Sequence, residues 1–162
     1  MKSDNAYDWL GPGVYFWEAN PERALDFAIA TSRRKNSKIR KPFVVGAVID
    51  LGLCLDLTTK GSLDMLRETY EQVKKISVAD NAELPTNSED LSRRNLDCAV
   101  ITRLHTILKT GGSQEIDSVK GIFTEGMPIY PGSGFLEKTH VQVAVCRLEC
   151  IKAVFRVDTR LP

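Results

Sequence analysis

The stretch WLGPGVYFWEANPERALDFA, near the start of the chain, holds the residue types best suited to binding a flat ligand. Gly11 and Gly13 have no side chain, so the backbone at these positions can approach a bound molecule closely. Tyr15 opens a run of three aromatic residues, and Phe27 follows further along. Because aromatic rings provide flat apolar surface, this spacing predicts two rings around one planar group. Ordinary packing of a strand against a helix is the alternative interpretation.

The helix that would carry Phe27 has a clear start signal. Asn20 can cap free backbone amides, and Pro21 at the first helical position loses no donor that the helix needs. Small and apolar residues then recur at helical spacing, namely Ala24, Phe27, Ala28 and Thr31. The pattern predicts a helix over residues 21–34.

The middle of the chain predicts one or two strands followed by two helices. Residues 42–57 are rich in β-branched and apolar residues and are interrupted by glycine, which favours strands. Ser62 is the predicted N-cap of a second helix. The apolar positions of that helix are Leu63, Leu66, Tyr70 and Val73. Residues 77–95 are polar and predict a loop or a short helical excursion. A third helix is predicted over residues 96–109, ending before Gly111.

The last third of the chain changes character and contains three short apolar or alternating runs. They read SVKGIFTEG, HVQVAVC and CIKAVFRV, and the tight connection RLE joins the last two. Runs of this kind predict β-strands. Helices early and strands late predict an α+β domain with a mainly antiparallel sheet. The length of 162 residues predicts a single domain, residues 1–162.

Composition narrows the classes of function. The net charge of +1 gives no global attraction to nucleic acid or membrane, so a charged partner must meet a local patch. No apolar stretch is long enough to span a bilayer, and the first residues lack a signal-peptide core, which predicts a cytoplasmic protein without membrane association. Four cysteines without CxxC spacing, with only two histidines, predict reduced thiols and no metal site.

Six residues of the opening stretch match a known motif, and they are Gly11, Gly13, Tyr15, Phe16, Ala24 and Phe27. The pattern resembles a segment of the ADP-ribosyltransferase fold, in its diphtheria-toxin-like branch, which includes the poly(ADP-ribose) polymerases. The resemblance implies that Tyr15, as a catalytic residue, and Phe27 sandwich the nicotinamide of NAD, and that the two glycines and Phe16 help to bind this substrate. Phe27 stands where many members have tyrosine, which preserves stacking but removes a hydroxyl.

The resemblance extends over most of the chain. The string YDWLGPGVYFWEANPERAL, with FTEGMPIY, HVQVAV and the closing CIKAVFRV, is similar to a bacterial subgroup of this fold. That subgroup includes toxins of toxin-antitoxin and toxin-antitoxin-chaperone phage-defence systems that modify RNA. The resemblance implies split antiparallel β-sheets with flanking helices and the activity of an NAD-dependent mono-ADP-ribosyltransferase. It also implies RNA or another nucleic acid as acceptor, and an antitoxin protein as partner.

The predicted strand HVQVAV contains the position at which the family usually has a catalytic glutamate. By alternation His140, Gln142 and Ala144 share one face, whereas the three valines share the other and are expected to pack in the core. Gln142 matches the glutamate position, but it carries no charge, so the role that carries over is positioning of the ribose. Glu125 in FTEG is the candidate for the missing negative charge, with Glu137 as second choice. A solvated surface carboxylate is the alternative for both.

A second departure from the family concerns the start of the domain. Most members carry a His-Gly pair on a first strand, well before the glycine-aromatic motif, and this histidine binds the adenosine ribose of NAD. Only fourteen residues precede Tyr15, and neither His105 nor His140 occupies that place. Either the natural protein starts earlier, or the domain lacks this strand and part of its hold on NAD. Both departures favour an alternative, a catalytically silent binding module of the same fold that a partner or antitoxin controls.

The segment MPIYPGSGFLEKT is the candidate for recognition of the acceptor. Its glycines and prolines predict an exposed turn. Tyr130 and Phe135 could stack there on a base or on a protein side chain, or serve as the aromatic residues of an ordinary turn.

The run RRKNSKIRK, residues 33–41, carries six positive charges and predicts the strongest local field in the chain. Its first three cations are Arg33, Arg34 and Lys35. RNA phosphates or the acidic surface of an antitoxin are the functional partners for such a run, and a solvated loop is the alternative. An RNA-binding protein unrelated to NAD would explain this run but not the aromatic residues.

Overall fold

The computed structural model describes residues 2–90 and 92–158, which form three α-helices and six β-strands in two sheets. In chain order the elements are β1 (Val14–Trp17), α1 (Pro21–Ser32), β2 (Val44–Ile49), β3 (Cys54–Asp56), α2 (Lys60–Ala79), α3 (Asn95–Thr110), β4 (Ser118–Phe123), β5 (His140–Val145) and β6 (Ile151–Val157). The expected α+β class is confirmed. Met1, Leu91 and residues 159–162 of the predicted domain lie outside the described residues. Among the described helices, none has the length and apolar character needed to cross a bilayer.

The strands form a larger and a smaller sheet. The larger sheet has the order β1-β5-β4-β3, and the smaller one pairs β2 with β6. Every named pair except β3 with β4 is antiparallel, as expected for a mainly antiparallel arrangement. The parallel pair arises because α2 and α3 lie between its strands in the chain, which gives the long crossover that parallel strands need. The strand segment at residues 42–57 divides into β2 and β3, which belong to different sheets.

Side-chain caps set the starts of the first two helices. The Asn20 side chain accepts a hydrogen bond from the Arg23 amide at 3.0 Å, so the predicted cap of α1 is confirmed. The predicted cap of α2 is wrong, since this helix begins at Lys60 and its cap is Thr59. The Thr59 hydroxyl takes this role because it accepts a hydrogen bond from the Ser62 amide at 3.3 Å.

The later helix ends differ from the predicted ones by a few residues. α2 continues to Ala79, three residues into the segment predicted as a loop or a short helical excursion, because no glycine or proline interrupts it there. It ends just before Asn81, which has a φ of 50° and so cannot continue the helix. α3 begins at Asn95 and ends at Thr110, directly before Gly111, in agreement with the predicted third helix.

The main core lies between α3 and one face of the larger sheet. Its central side chains have at most 3% of their surface exposed, and they are Leu10, Ile101, Leu104, Val119 and Ala144. Burial of this apolar surface is the principal term that holds the helix on the sheet.

A second apolar cluster lies between the opposite face of the larger sheet and the smaller sheet. Of the three valines predicted to pack there, Val143 and Val145 belong to it, together with Cys150, whereas Val141 is half-buried and outside the cluster. The face of β5 that holds His140 is buried as well, because the main core and two aromatic rings cover it, and His140 is 5% exposed. β5 is therefore enclosed on both faces, and Gln142 is half-buried between them.

Candidate functional site

Tyr15 is integrated into the turn that precedes its own strand. Its hydroxyl donates a hydrogen bond to the Gly11 carbonyl oxygen at 2.7 Å and accepts one from the Leu10 amide at 2.9 Å. The ring packs against the main core. Burial raises the pKa of the phenol above its ordinary value, so the hydroxyl stays protonated. Tyr15 therefore has a structural role in this turn, and its hydroxyl is engaged by backbone.

Replacing Tyr15 with phenylalanine is expected to destabilise the fold by about 1 to 3 kcal/mol, because the buried Leu10 amide loses its acceptor. Urea unfolding measures the change. Tyr130→Phe is the matched control, since Tyr130 is 55% exposed. Equal stability of the two variants would contradict the role assigned to the Tyr15 hydroxyl.

Gly11 and Gly13 are needed where the turn meets the core. Gly11 has a φ of 73°, and a Cβ added there would lie 2.8 Å from a methyl group of Ile101. A Cβ at Gly13 would lie 3.1 Å from both the Ala144 Cβ and the Val145 carbonyl oxygen. The close approach that these glycines permit is therefore to α3 and β5.

The ring in contact with Phe27 is that of Trp17 rather than that of Tyr15. The two ring centroids lie 5.0 Å apart, with the planes inclined at 47°. Trp17 follows Tyr15 on the same face of β1 by alternation, and it is the last residue of the strand before the chain turns into α1. Trp17 is part of the aromatic run seen in the sequence. The run by itself does not show whether Trp17 or Tyr15 makes this ring contact, because the packing of α1 on the sheet decides it.

A cavity of about 670 Å³ lies between α1, β1 and the smaller sheet. Aromatic side chains supply much of its wall, namely Tyr15, Phe16, Trp17, Phe27, Phe43 and Phe155. The cavity reaches β5 at Val143, whose side chain lies on the opposite face of the strand from Gln142; Gln142 is instead the cross-strand neighbour of Trp17. Gly46 makes room for the Phe155 ring, since a Cβ there would come within 2.5 Å of that ring. The volume and the apolar wall are those of a small-molecule site.

A hydrogen-bonded pair on β5 orients the Gln142 amide. The Nδ1 atom of His140 lies 2.6 Å from the Lys138 carbonyl oxygen, which can only accept, so Nδ1 carries the ring proton. The His140 Nε2 atom lies 2.7 Å from the Gln142 Nε2, which is a donor, so His140 Nε2 accepts in this pair. Gln142 thus donates to His140, and its carbonyl oxygen is left to accept a hydrogen bond from another group.

Five rings form a continuous row through the molecule. Along Trp9, Phe123, His140, Trp17 and Phe27, successive centroids lie 4.2, 5.6, 6.4 and 5.0 Å apart. The row joins the first cavity to a second one of about 470 Å³ between α2, α3 and the larger sheet. Its members lie before β1 and on β1, α1, β4 and β5, so the row is formed by tertiary packing, and local spacing in the sequence indicated Tyr15 with Phe27 instead.

Glu125 is paired with a cation of α1. One of its carboxylate oxygens lies 2.8 Å from an Arg23 guanidinium nitrogen, and the two side chains are 32% and 19% exposed. Its negative charge is therefore largely balanced where it stands. The second-choice carboxylate, Glu137, lies in the exposed loop between β4 and β5, and its amide bonds the Met127 carbonyl at 3.0 Å.

The two candidate recognition segments lie on the surface. Tyr130 and Phe135 are 55% and 68% exposed in the loop between β4 and β5. The Ile129 amide donates to the Phe135 carbonyl at 3.1 Å, which closes this loop into a turn. The three candidate cations after α1 are also exposed, and they are Arg33, Arg34 and Lys35.

Cys146 and His105 are neighbours in the structure. Cys146 Sγ lies 3.8 Å from His105 Nε2, a pairing that would suit a nucleophile. Burial, however, raises the pKa of the Cys146 thiol to about 11 and lowers the pKa of His105, so both groups are neutral at physiological pH. In the described part of the chain, no group of three or more His, Cys, Asp or Glu side chains is arranged to hold a metal.

Comparison of the chain with protein-family models, with curated proteins and with solved structures found no match.

Proposed function

We propose that the chain is an NAD-dependent mono-ADP-ribosyltransferase of the bacterial toxin and phage-defence kind, with RNA as its acceptor. The observation that carries the proposal is the aromatic cavity lined by the Trp17–Phe27 pair, with Gln142 directly opposite Trp17 in the pairing of β5 with β1. The two separate, mainly antiparallel sheets with flanking helices support the split-sheet fold that the resemblance implies.

The Trp17 indole offers a hydrogen bond in addition to its ring. Its Nε1 atom is buried and has no acceptor among residues 2–90 and 92–158. A buried donor without an acceptor costs about 1 to 3 kcal/mol, so a ligand that supplies an acceptor here would be favoured. Nicotinamide combines a flat ring with a carboxamide oxygen and fits both requirements. Trp17 then takes the place that the resemblance assigns to Tyr15.

The proposed reaction replaces one bond at the ribose with another. The bond between C1′ and the nicotinamide nitrogen breaks, its electrons leave with the neutral nicotinamide, and positive charge develops on the ribose. A nucleophilic atom of the acceptor then forms a bond to C1′ and loses its proton. Orientation of the ribose lowers this barrier, and we assign this role to the carbonyl oxygen of Gln142, which lies opposite Trp17 across the strand pair and would accept from a ribose hydroxyl that extends past the indole.

A second candidate function is a catalytically silent binding module that an antitoxin or another partner controls. The pairing of Glu125 with Arg23 favours it, because the developing positive charge would then meet no uncompensated carboxylate from this residue. Calorimetry with NAD separates the two candidates, since a silent module is expected to give no heat of binding.

Incubation with radiolabelled NAD and a cell lysate tests the proposed activity. We expect label in a polymer that ribonuclease degrades and protease leaves intact. Label that only protease releases would identify a protein acceptor. A folded protein that neither binds NAD nor labels any polymer would refute the proposal.

Neutralising Arg33, Arg34 and Lys35 with alanine is expected to weaken RNA binding and flatten its salt dependence. Loss of three phosphate contacts reduces the slope of log K against log salt by about two for a single strand. Filter-binding titrations at several salt concentrations measure this slope. The control variant replaces Lys74 and Lys75, two exposed cations of α2. An unchanged slope in the first variant would count against the predicted contact.

A further inference from the structure

The strand β6 presents an exposed edge and exposed apolar side chains. It pairs with β2 on one side, and no second strand pairs with it within the described residues. Five consecutive residues of β6, from Lys152 to Arg156, are exposed, and Val154 and Phe155 are 63% and 51% exposed. An open strand edge of this kind offers unpaired backbone donors and acceptors to another chain.

Both faces of the smaller sheet carry exposed apolar residues. Val154 lies opposite Ala47 in the register, and Phe155 lies opposite Gly46 on the other face. On β2, Val45 and Val48 are 45% and 54% exposed. A two-stranded sheet is marginally stable by itself, so a third strand that covers this surface would stabilise it.

Charge at one end of β6 favours an acidic occupant. The Arg156 guanidinium lies 5.3 Å from the centre of the Phe43 ring, and Phe43 follows the cations Arg40 and Lys41 by two to three residues. At the opposite end Lys152 already faces Asp50, with 3.7 Å between nitrogen and oxygen. Asp158 is the carboxylate at this end of β6, so Arg40, Lys41 and Arg156 together leave a net positive charge there.

A second copy of this chain is a poorer occupant of the same edge in the register that is centred on the exposed Val154. Antiparallel pairing of two β6 strands centred on Val154 would place Arg156 of each copy beside Lys152 of the other, and like charges opposite each other destabilise a sheet. The edge of β2 is less suited to addition, because α1 packs against that strand.

We propose that β6 binds an extended acidic segment of a partner protein as the third strand of the smaller sheet. Backbone hydrogen bonds hold the segment, its apolar side chains cover Val154 and Phe155, and a carboxylate faces Arg156. Phe155 also lines the aromatic cavity, so the bound segment lies next to one wall of the site described above. This interaction goes beyond the proposed enzymatic function and does not depend on it.

Fluorescence anisotropy with a labelled peptide tests this surface. The probe has the core sequence Glu-Val-Val-Val-Glu, and the control peptide has lysine in place of both glutamates. We expect the acidic peptide to bind and the basic one to bind at least about tenfold more weakly. Two further peptides carry N-methyl groups on alternate residues, one at the odd and the other at the even positions. One of the two is expected to lose binding, because its methyl groups block the backbone hydrogen bonds to β6.

Val154→Asp is expected to weaken binding of the acidic peptide by about tenfold or more. Val78→Asp is the matched control, since Val78 is 76% exposed at the end of α2, and it is expected to change nothing. Equal effects of the two variants, or equal binding of both N-methylated peptides, would overturn the proposal. Sedimentation that shows a dimer of this chain, disrupted by Val154→Asp, would overturn it in favour of a second copy.

Discussion

Replacing Trp17 with alanine is expected to weaken NAD binding by roughly 30- to 100-fold and to reduce ADP-ribose transfer at least as much. The variant loses the ring that packs 5.0 Å from Phe27 and the buried indole donor. Stacking of a heterocycle on an aromatic side chain contributes about 1 to 3 kcal/mol, and each 1.4 kcal/mol corresponds to about tenfold in Kd. Labelled-NAD transfer and calorimetry measure the two effects, with circular dichroism to verify folding.

Tryptophan fluorescence provides a direct control for this assignment. Trp9 and Trp17 are the two tryptophans of the chain, so Trp9→Phe leaves Trp17 as the sole reporter. NAD is expected to quench the fluorescence of Trp9→Phe strongly and that of Trp17→Phe weakly. Wild-type transfer by a folded Trp17→Ala variant would refute the assigned role of the indole.

Replacing Gln142 with alanine is expected to lower the rate of transfer by about 100-fold, with a smaller effect on NAD binding. Removal of one dipole that stabilises developing charge typically has this magnitude. Gln142 is half-buried, and its amide is held by His140 Nε2 at 2.7 Å, so the dipole is oriented before substrate binds. Single-turnover kinetics separate the rate from the affinity. Gln114→Ala, at an exposed glutamine, is the control.

Gln142→Glu distinguishes a weak enzyme from a silent module. The new carboxylate would offset positive charge on the ribose, so we expect faster NAD cleavage if the site is productive. It could accept a hydrogen bond from His140 only if Nε2 gained a proton, which nitrogen-15 NMR of the imidazole detects. No gain in cleavage, together with full activity of Gln142→Ala, would exclude β5 as the catalytic strand.

Local patterns in the sequence were sufficient for most of the secondary structure. Asn20 and Pro21 predicted the start of α1 because a cap and a first-turn proline act on amides only a few residues away. Gly111 likewise marked the end of α3. The alternation of HVQVAV correctly predicted that Val143 and Val145 pack together. The local patterns were less reliable at α2, where the cap is Thr59 instead of Ser62.

The candidate site depended on contacts between residues far apart in the chain. Arg23 binds Glu125 across 102 positions, and this pairing removes a charge that the motif FTEG by itself appeared to offer. Likewise, residues 42–57 form two strands whose partners, β6 and β4, lie far along the chain.

The sequence by itself determined where helices and strands form and which residues could supply flat surface, hydrogen bonds or charge, because these properties depend on near neighbours. Tertiary structure alone decided that Trp17 rather than Tyr15 packs on Phe27, and that His140 orients Gln142. It also decided that Glu125 forms an ion pair with Arg23. Each of these outcomes follows from how distant elements pack, and alternation and spacing within one strand or helix do not encode that packing.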